Sequence, residues 1–152
     1  MSQSGSGIHL GTSLGYLVKE VSSVLRSEME AVLRPLGMTI THYSCLELLL
    51  QRPGLSNSDL ARGTFVTRQS MNVVLQGLES DGLVTRLSQP IAGRVLPTEL
   101  TPAGRERLRL ASAAVKGVED RMKRTLSADE EDVLRDLLNR CAQSLREGPG
   151  SV

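Results

Sequence analysis

The chain contains no tryptophan, and Tyr16, Tyr43 and Phe65 are its only aromatic residues. Its core must therefore come from Leu, Val, Ile, Met and Ala, which favours helix packed on helix over a sandwich rich in aromatic and β-branched side chains. Cysteine is as scarce: Cys45 and Cys141 stand far apart and in no CxxC spacing, so neither a zinc site nor a disulfide framework is suggested. His9 and His42 are isolated as well, and no metal or cofactor is expected. The absence of a Gly-rich phosphate loop and of a recognisable Ser/His/Asp arrangement argues against an enzyme. No apolar run approaches the roughly 18 residues of a membrane span. MSQSGSGIHL carries no basic residue ahead of a hydrophobic stretch, so the expectation is a soluble, cytoplasmic protein.

An excess of either charge is missing too, with 18 Lys and Arg against 17 Asp and Glu. A net charge of +1 does not announce a nucleic-acid partner, whose usual footprint is a strongly basic domain. Lysine occurs only at Lys19, Lys116 and Lys123, and arginine supplies the other basic side chains. A planar guanidinium suits phosphate, although genomic base composition could produce the same bias. What is present is an ordinary globular balance, 39% hydrophobic and 23% charged over 152 residues, which suits one compact domain or a small domain with helical extensions.

Helical periodicity dominates both ends of the chain. A first pattern over about residues 8–35 aligns Leu14, Leu17 and Val21 with Leu10, Leu25, Met29 and Val32, and Pro35 with Gly37 stops it. Thr39 or Thr41 can cap a second helix through about Gln51, ended by Pro53-Gly54. Ser56 followed by Asp59 is close to a capping box. Gly63 is expected to end that short helix and Thr67 to cap the next, and two helices joined by a short Gly-containing turn form a helix-turn-helix. After Asp81-Gly82 the pattern becomes strand-like: LVTRL (83–87) and RVLPTEL (94–100) flank the loop SQPIAG, with Pro97 expected on an outward-facing edge. This is a β-hairpin wing.

Thr101 and Pro102 then restart helix. Leu108, Ala111, Val115, Val118 and Met122 form a narrow seam of the kind that seeks a partner helix. A last helix opens on the capping box Ser127/Glu130 and carries Val133, Leu134, Leu137, Leu138, Cys141 and Leu145. The expected architecture is mainly α with a small β-hairpin wing. A winged helix-turn-helix at 39–101 lies between dimerisation helices at 8–36 and 102–146, with tails at 1–7 and 147–152. The dimer contacts are assigned to Leu14, Leu17, Val21, Leu108, Val115, Val118, Val133, Leu137 and Cys141.

The helix within FVTRQSMNVVLQGLESDGLV (65–84) has an apolar face of Met71, Val74, Leu75 and Leu78, and a polar first turn of Thr67, Arg68, Gln69 and Ser70, followed by Asn72 and Gln76. A helix N-terminus attracts phosphate, and these side chains can reach base edges in a major groove. Capping by Thr67 and Ser70 with solvated Arg68 and Gln69 is the plain alternative, and it loses force once a preceding helix, a turn and a wing fit one docking geometry. Arg94 near the hairpin tip could enter a narrow minor groove or simply be solvated. Gly77, mid-helix, is attributed to close packing. Cys45 and Cys141 are read as buried structural thiols rather than oxidant sensors. His42 and Tyr43, with Tyr16, are the candidates to line an effector cavity; as ordinary boundary residues His42 and Tyr43 would do nothing of the kind.

The order of elements and the strings LSNSDLARGTFVTRQSMNVVLQGLESDGLVTR and GRVLPTELTPAGRERL resemble the MarR family of bacterial transcription regulators over about residues 8–146. The most specific parts are LA at 60–61, LESDGLV at 78–84 and LTPAG at 100–104. The resemblance implies a homodimer with intertwined terminal helices and two winged lobes that read a pseudo-palindromic operator in double-stranded DNA. It further implies a repressor released by a small aromatic effector or by an oxidant. The family's recognition contacts fall on Thr67, Arg68, Gln69, Ser70 and Asn72, and its wing arginine on Arg94. This chain departs in having Ala92 where the wing usually carries Asp, and Val73 where a basic residue is common. The reactive cysteine of the oxidant-sensing branch, near the start of the first long helix, is absent. The competing readings are a winged-helix protein-interaction module and a thiol-based redox regulator.

Overall fold

The structure, a computed structural model, describes residues 7–86 and 97–150. Arg94, Ala92 and the loop SQPIAG lie outside the described residues. A 3-10 turn at Leu10–Thr12 precedes α1 (Leu14–Leu33), and a second at Arg34–Leu36 leads to α2 (Ile40–Gln51). Then follow α3 (Asn57–Thr64), α4 (Arg68–Ser80), the strands β1 (Val84–Arg86) and β2 (Thr98–Leu100), α5 (Pro102–Lys123) and α6 (Ala128–Arg146). Among the described residues no helix is long and apolar enough to cross a membrane.

Side chains adjacent to each helix start set its boundary. Ser13 accepts from Tyr16 N, Thr39 from His42 N, Ser56 from Asp59 N, Thr67 from Ser70 N and Ser127 from Glu130 N. Each of these satisfies an amide that the helix itself leaves without a partner. Thr101 does the same at α5, accepting from Gly104 N at 3.0 Å while its hydroxyl donates to Gly82 O. The end of α4 closes at Gly82, whose φ of +74° lets Leu83 N reach back to Leu78 O.

The chain divides into two units, one ending at Val118 and one beginning at Glu119. In the first, Leu33, Cys45, Leu46, Leu49, Leu60, Met71, Leu75, Leu78, Leu108 and Ala111 share one core. Each fully buried Leu or Met there contributes roughly 1.5–3 kcal/mol by leaving water. Part of the seam on α5 meets this core: Leu108 is 1% exposed and Val115 packs against the core cluster, while Val118 is buried and Met122 is 48% exposed. Ser112 Oγ donates to Glu47 Oε2, and Arg107 Nη1 to Leu36 O, fastening the same helix to α2 and to the turn before it. Leu108 and Val118 are thus buried within the chain itself and not free for the dimer contacts assigned to them, whereas Val115 is only half-buried. Periodicity reveals an apolar face but does not name what it covers.

Two further expectations change. Gly63 lies inside α3, where an added Cβ would come within 2.6 Å of Leu48 Cδ1; the turn is made instead by Phe65 at φ 61°. Pro97 precedes β2, whose Thr98 exchanges hydrogen bonds with Gly54 and Leu55 at 3.2 Å each. Thr98 thus bonds on the side away from β1. A methyl added at Gly77 would have nothing within 4 Å of it, so packing does not require glycine there. Gly77→Ala is expected to stabilise the fold by about 1 kcal/mol, measured by denaturant unfolding; a loss of stability would mean that the site is more crowded than its surroundings indicate.

In the second unit α6 has no buried residue. Val133, Leu134, Leu137, Leu138 and Leu145 are all exposed, as is Cys141. Cys141 is therefore not the buried thiol expected. It sits on the uncovered stripe. Leu14, Leu17 and Val21 on α1, in the first unit, are likewise exposed.

Candidate nucleic-acid interface

The first turn of α4 is anchored before it is functional. Thr67 Oγ1 accepts from Ser70 N at 3.0 Å and donates to Ser70 Oγ at 2.9 Å, while Asn57 Nδ2 holds Arg68 O at 3.4 Å. The hydroxyls of Thr67 and Ser70 are thus partly occupied by capping. All four residues Thr67–Ser70 are exposed. Among the described residues no hydrogen bond or ion pair holds the side chain of Arg68 or Gln69. A fixed backbone with two unheld polar side chains at a helix N-terminus presents donors to an anion or a base edge. Gln76 is exposed and Asn72 half-buried on the following turns. Val73 and Phe65 are exposed at 64% and 89%.

Phe65 makes the turn in a backbone region that costs a side-chain-bearing residue roughly 1–2 kcal/mol relative to glycine. Its ring gains no burial in return.

One participant is not evident from the sequence. Arg86, on β1, donates from Nε to Glu79 Oε2 at 3.2 Å and from Nη1 to Asn72 Oδ1 at 3.4 Å. The contact spans fourteen residues. Only the turn at Asp81-Gly82, which sends the chain back beside α4, brings the pair together. An arginine in an otherwise apolar and β-branched strand is the one signal that could have pointed to it.

The effector candidates separate. Tyr16 is exposed on α1, and His42 and Tyr43 are half-buried at the start of α2. His42 completes a capping box: Nδ1 accepts from Thr39 N at 3.2 Å. Burial lowers its pKa below 6.5, opposed by the negative charge of Asp81. An Nδ1 that accepts must be unprotonated, so at neutral pH the ring carries its hydrogen on Nε2. Protonation would remove the acceptor and charge a partly buried ring. Stability from this site is full above the unfolded pKa near 6.5 and is lost as pH falls through it toward the lower folded value. His42→Gln retains a side chain that can close the box and should flatten the fall in stability as pH drops below about 7; an unchanged slope in urea titrations would assign the pH dependence elsewhere.

Cys45 is buried, and burial pushes its thiol up to about 12. It holds almost no thiolate at neutral pH, which removes the species that an oxidant attacks. Among the described residues no group of three or more His, Cys, Asp or Glu is placed to hold a metal ion.

Comparison with known proteins agrees with this geometry. The MarR family profile matches residues 36–94. The HTH-type transcriptional repressor Rv2887 of Mycobacterium tuberculosis is 42% identical over 127 residues, 84% of this chain and 91% of the relative. A crystal structure of that protein in complex with DNA superimposes with a TM-score of 0.71 at 39% identity, covering 86% of this chain and 98% of the other. Its complex with salicylic acid gives 0.70 at 41% identity over 86% and 96%. The α3–turn–α4 unit, the β1–β2 pair and the terminal helices are the parts of a winged helix-turn-helix regulator, and this chain belongs to the MarR family.

Proposed function

We propose that the protein is a dimeric, sequence-specific DNA-binding repressor in which Thr67, Arg68, Gln69, Ser70, Asn72 and Gln76 meet the major groove and Arg94 the adjacent minor groove. The observation that carries this reading is the capped, exposed first turn of α4 with Arg68 and Gln69 unheld among the described residues. The exposed apolar residues of α1 and α6 supply a second-copy interface, which Leu14, Leu17, Val21, Val133, Leu137 and Cys141 would line. A dimer fixes the separation of two recognition helices, so both engage only half-sites about one DNA turn apart, ~34 Å. A small aromatic acid is the proposed effector, with Tyr16, His42 and Tyr43 as its candidate contacts; the Nε2–H of neutral His42 is a donor suited to a carboxylate. By linkage, DNA and effector must weaken each other by the same factor.

Affinity for a selected duplex should fall steeply with salt as counterions leave the phosphates. Arg68→Ala should cost ~1–3 kcal/mol and relax base choice at one position if it reads guanine. Binding that ignores salt would favour the protein-interaction module instead, and equal loss on specific and random duplexes would reassign Arg68 to a phosphate.

A further inference from the structure

We propose that Arg86 is a positioning residue for base reading: it holds Asn72 so that this side chain offers its amide hydrogens, and not its carbonyl, to DNA. The inference deepens the DNA-binding reading and rests on it.

Asn72 and Glu79 lie seven residues apart on α4, two turns along one face, and the Arg86 guanidinium bonds to both. Its side chain is only 20% exposed, and Glu79 balances its charge. Arg86 is therefore poorly placed to act as a phosphate cation. A guanidinium has donors only, so the Asn72 atom that faces it must be the carbonyl oxygen, and the amide nitrogen is turned the other way. Asn72 stands one turn beyond Arg68, within the polar stretch that starts α4.

An asparagine with both ends available pairs with adenine, accepting from N6 and donating to N7. With its carbonyl oxygen turned to Arg86, Asn72 is less able to offer that complementary pair, although the oxygen keeps a second lone pair. Two amide hydrogens facing outward match two acceptors, and guanine N7 with O6 is the major-groove edge that supplies them. Arg86 thereby converts an adenine-reading side chain into one that favours a G·C pair, although it touches no base itself.

The test is selection of bound duplexes from a random pool by the wild type, Asn72→Ala and Arg86→Met. The Asn72→Ala pool identifies the position at which preference disappears. There the wild type should favour G·C over A·T by about tenfold. Arg86→Met should reduce that preference to near parity or invert it toward A·T while other positions keep theirs. A wild-type preference for A·T at that position, an unchanged preference in Arg86→Met, or no position that responds to Asn72→Ala would overturn the inference alone. If the wild type enriches no sequence, the DNA-binding reading falls, and this inference with it. Should Arg86→Met lose its helical circular dichroism, Glu79→Ala removes the exposed anchor that fixes the same guanidinium beside Asn72. A weakened G·C preference then supports the inference, and an unaltered one overturns it.

Discussion

Leu137→Glu is expected to yield a monomer at micromolar concentration whose operator affinity is lower by ~10²–10⁴-fold, the size of effect that separates two linked binding modules from one. Leu137 is 45% exposed, and no residue of α6 is buried, so the substitution removes little packing within the chain. It does put a carboxylate beside Val133, Leu134 and Leu138, the exposed apolar residues that a second copy would cover. Burying that charge without a partner would cost several kcal/mol, more than an interface of this kind tolerates. Light scattering after size exclusion and a fluorescence-anisotropy titration decide the matter together. A dimer of unchanged stability would show that α6 lies outside the interface.

Gly104→Ala is the second large effect, and it acts on the fold. An added methyl would lie 2.0 Å from Leu83 O and 3.4 Å from Leu100 Cδ2. The first of these neighbours is backbone, which no rotamer change can move. The start of α5 would have to withdraw from the β1 junction, loosening the Thr101 hydroxyl bond to Gly82 O and the Thr101 N bond to Leu83 O. It would also drag Leu108 and Ala111 from the shared core. A loss of about 3 kcal/mol is expected, which lowers the melting temperature by roughly 10 °C for a chain of this size. A melting curve that coincides with the wild type would show that the helix start can move freely.

Features that depend on neighbouring residues were legible in the sequence. The caps at Ser56, Thr67, Thr101 and Ser127 and the turn at Gly82 are written in residues within a few positions of one another, and each is found where its chemistry requires. Features that depend on distant residues were not. Gly63 answers to Leu48 on another helix, so its role as a turn residue could not be tested locally, and the turn passed to Phe65, an unusual occupant of that backbone region. The seam on α5 and the stripe on α6 have the same periodicity. Only packing shows that Leu108 is covered by its own chain while Leu137 is not. The exposure of Cys141 was hidden for the same reason. The candidate interface was legible as far as the first turn of α4, because capping and exposure there follow from sequence order; Arg86 was invisible because its partners are joined to it only through the folded turn.

The uncovered stripe on α6 has a consequence for dosage. When chains are dilute, the number of assembled pairs varies as the square of the number synthesised. Growth and division that thin out the protein would then empty its operator faster than the protein itself disappears, so transcription would switch on over a narrower span of cell generations than simple dilution gives.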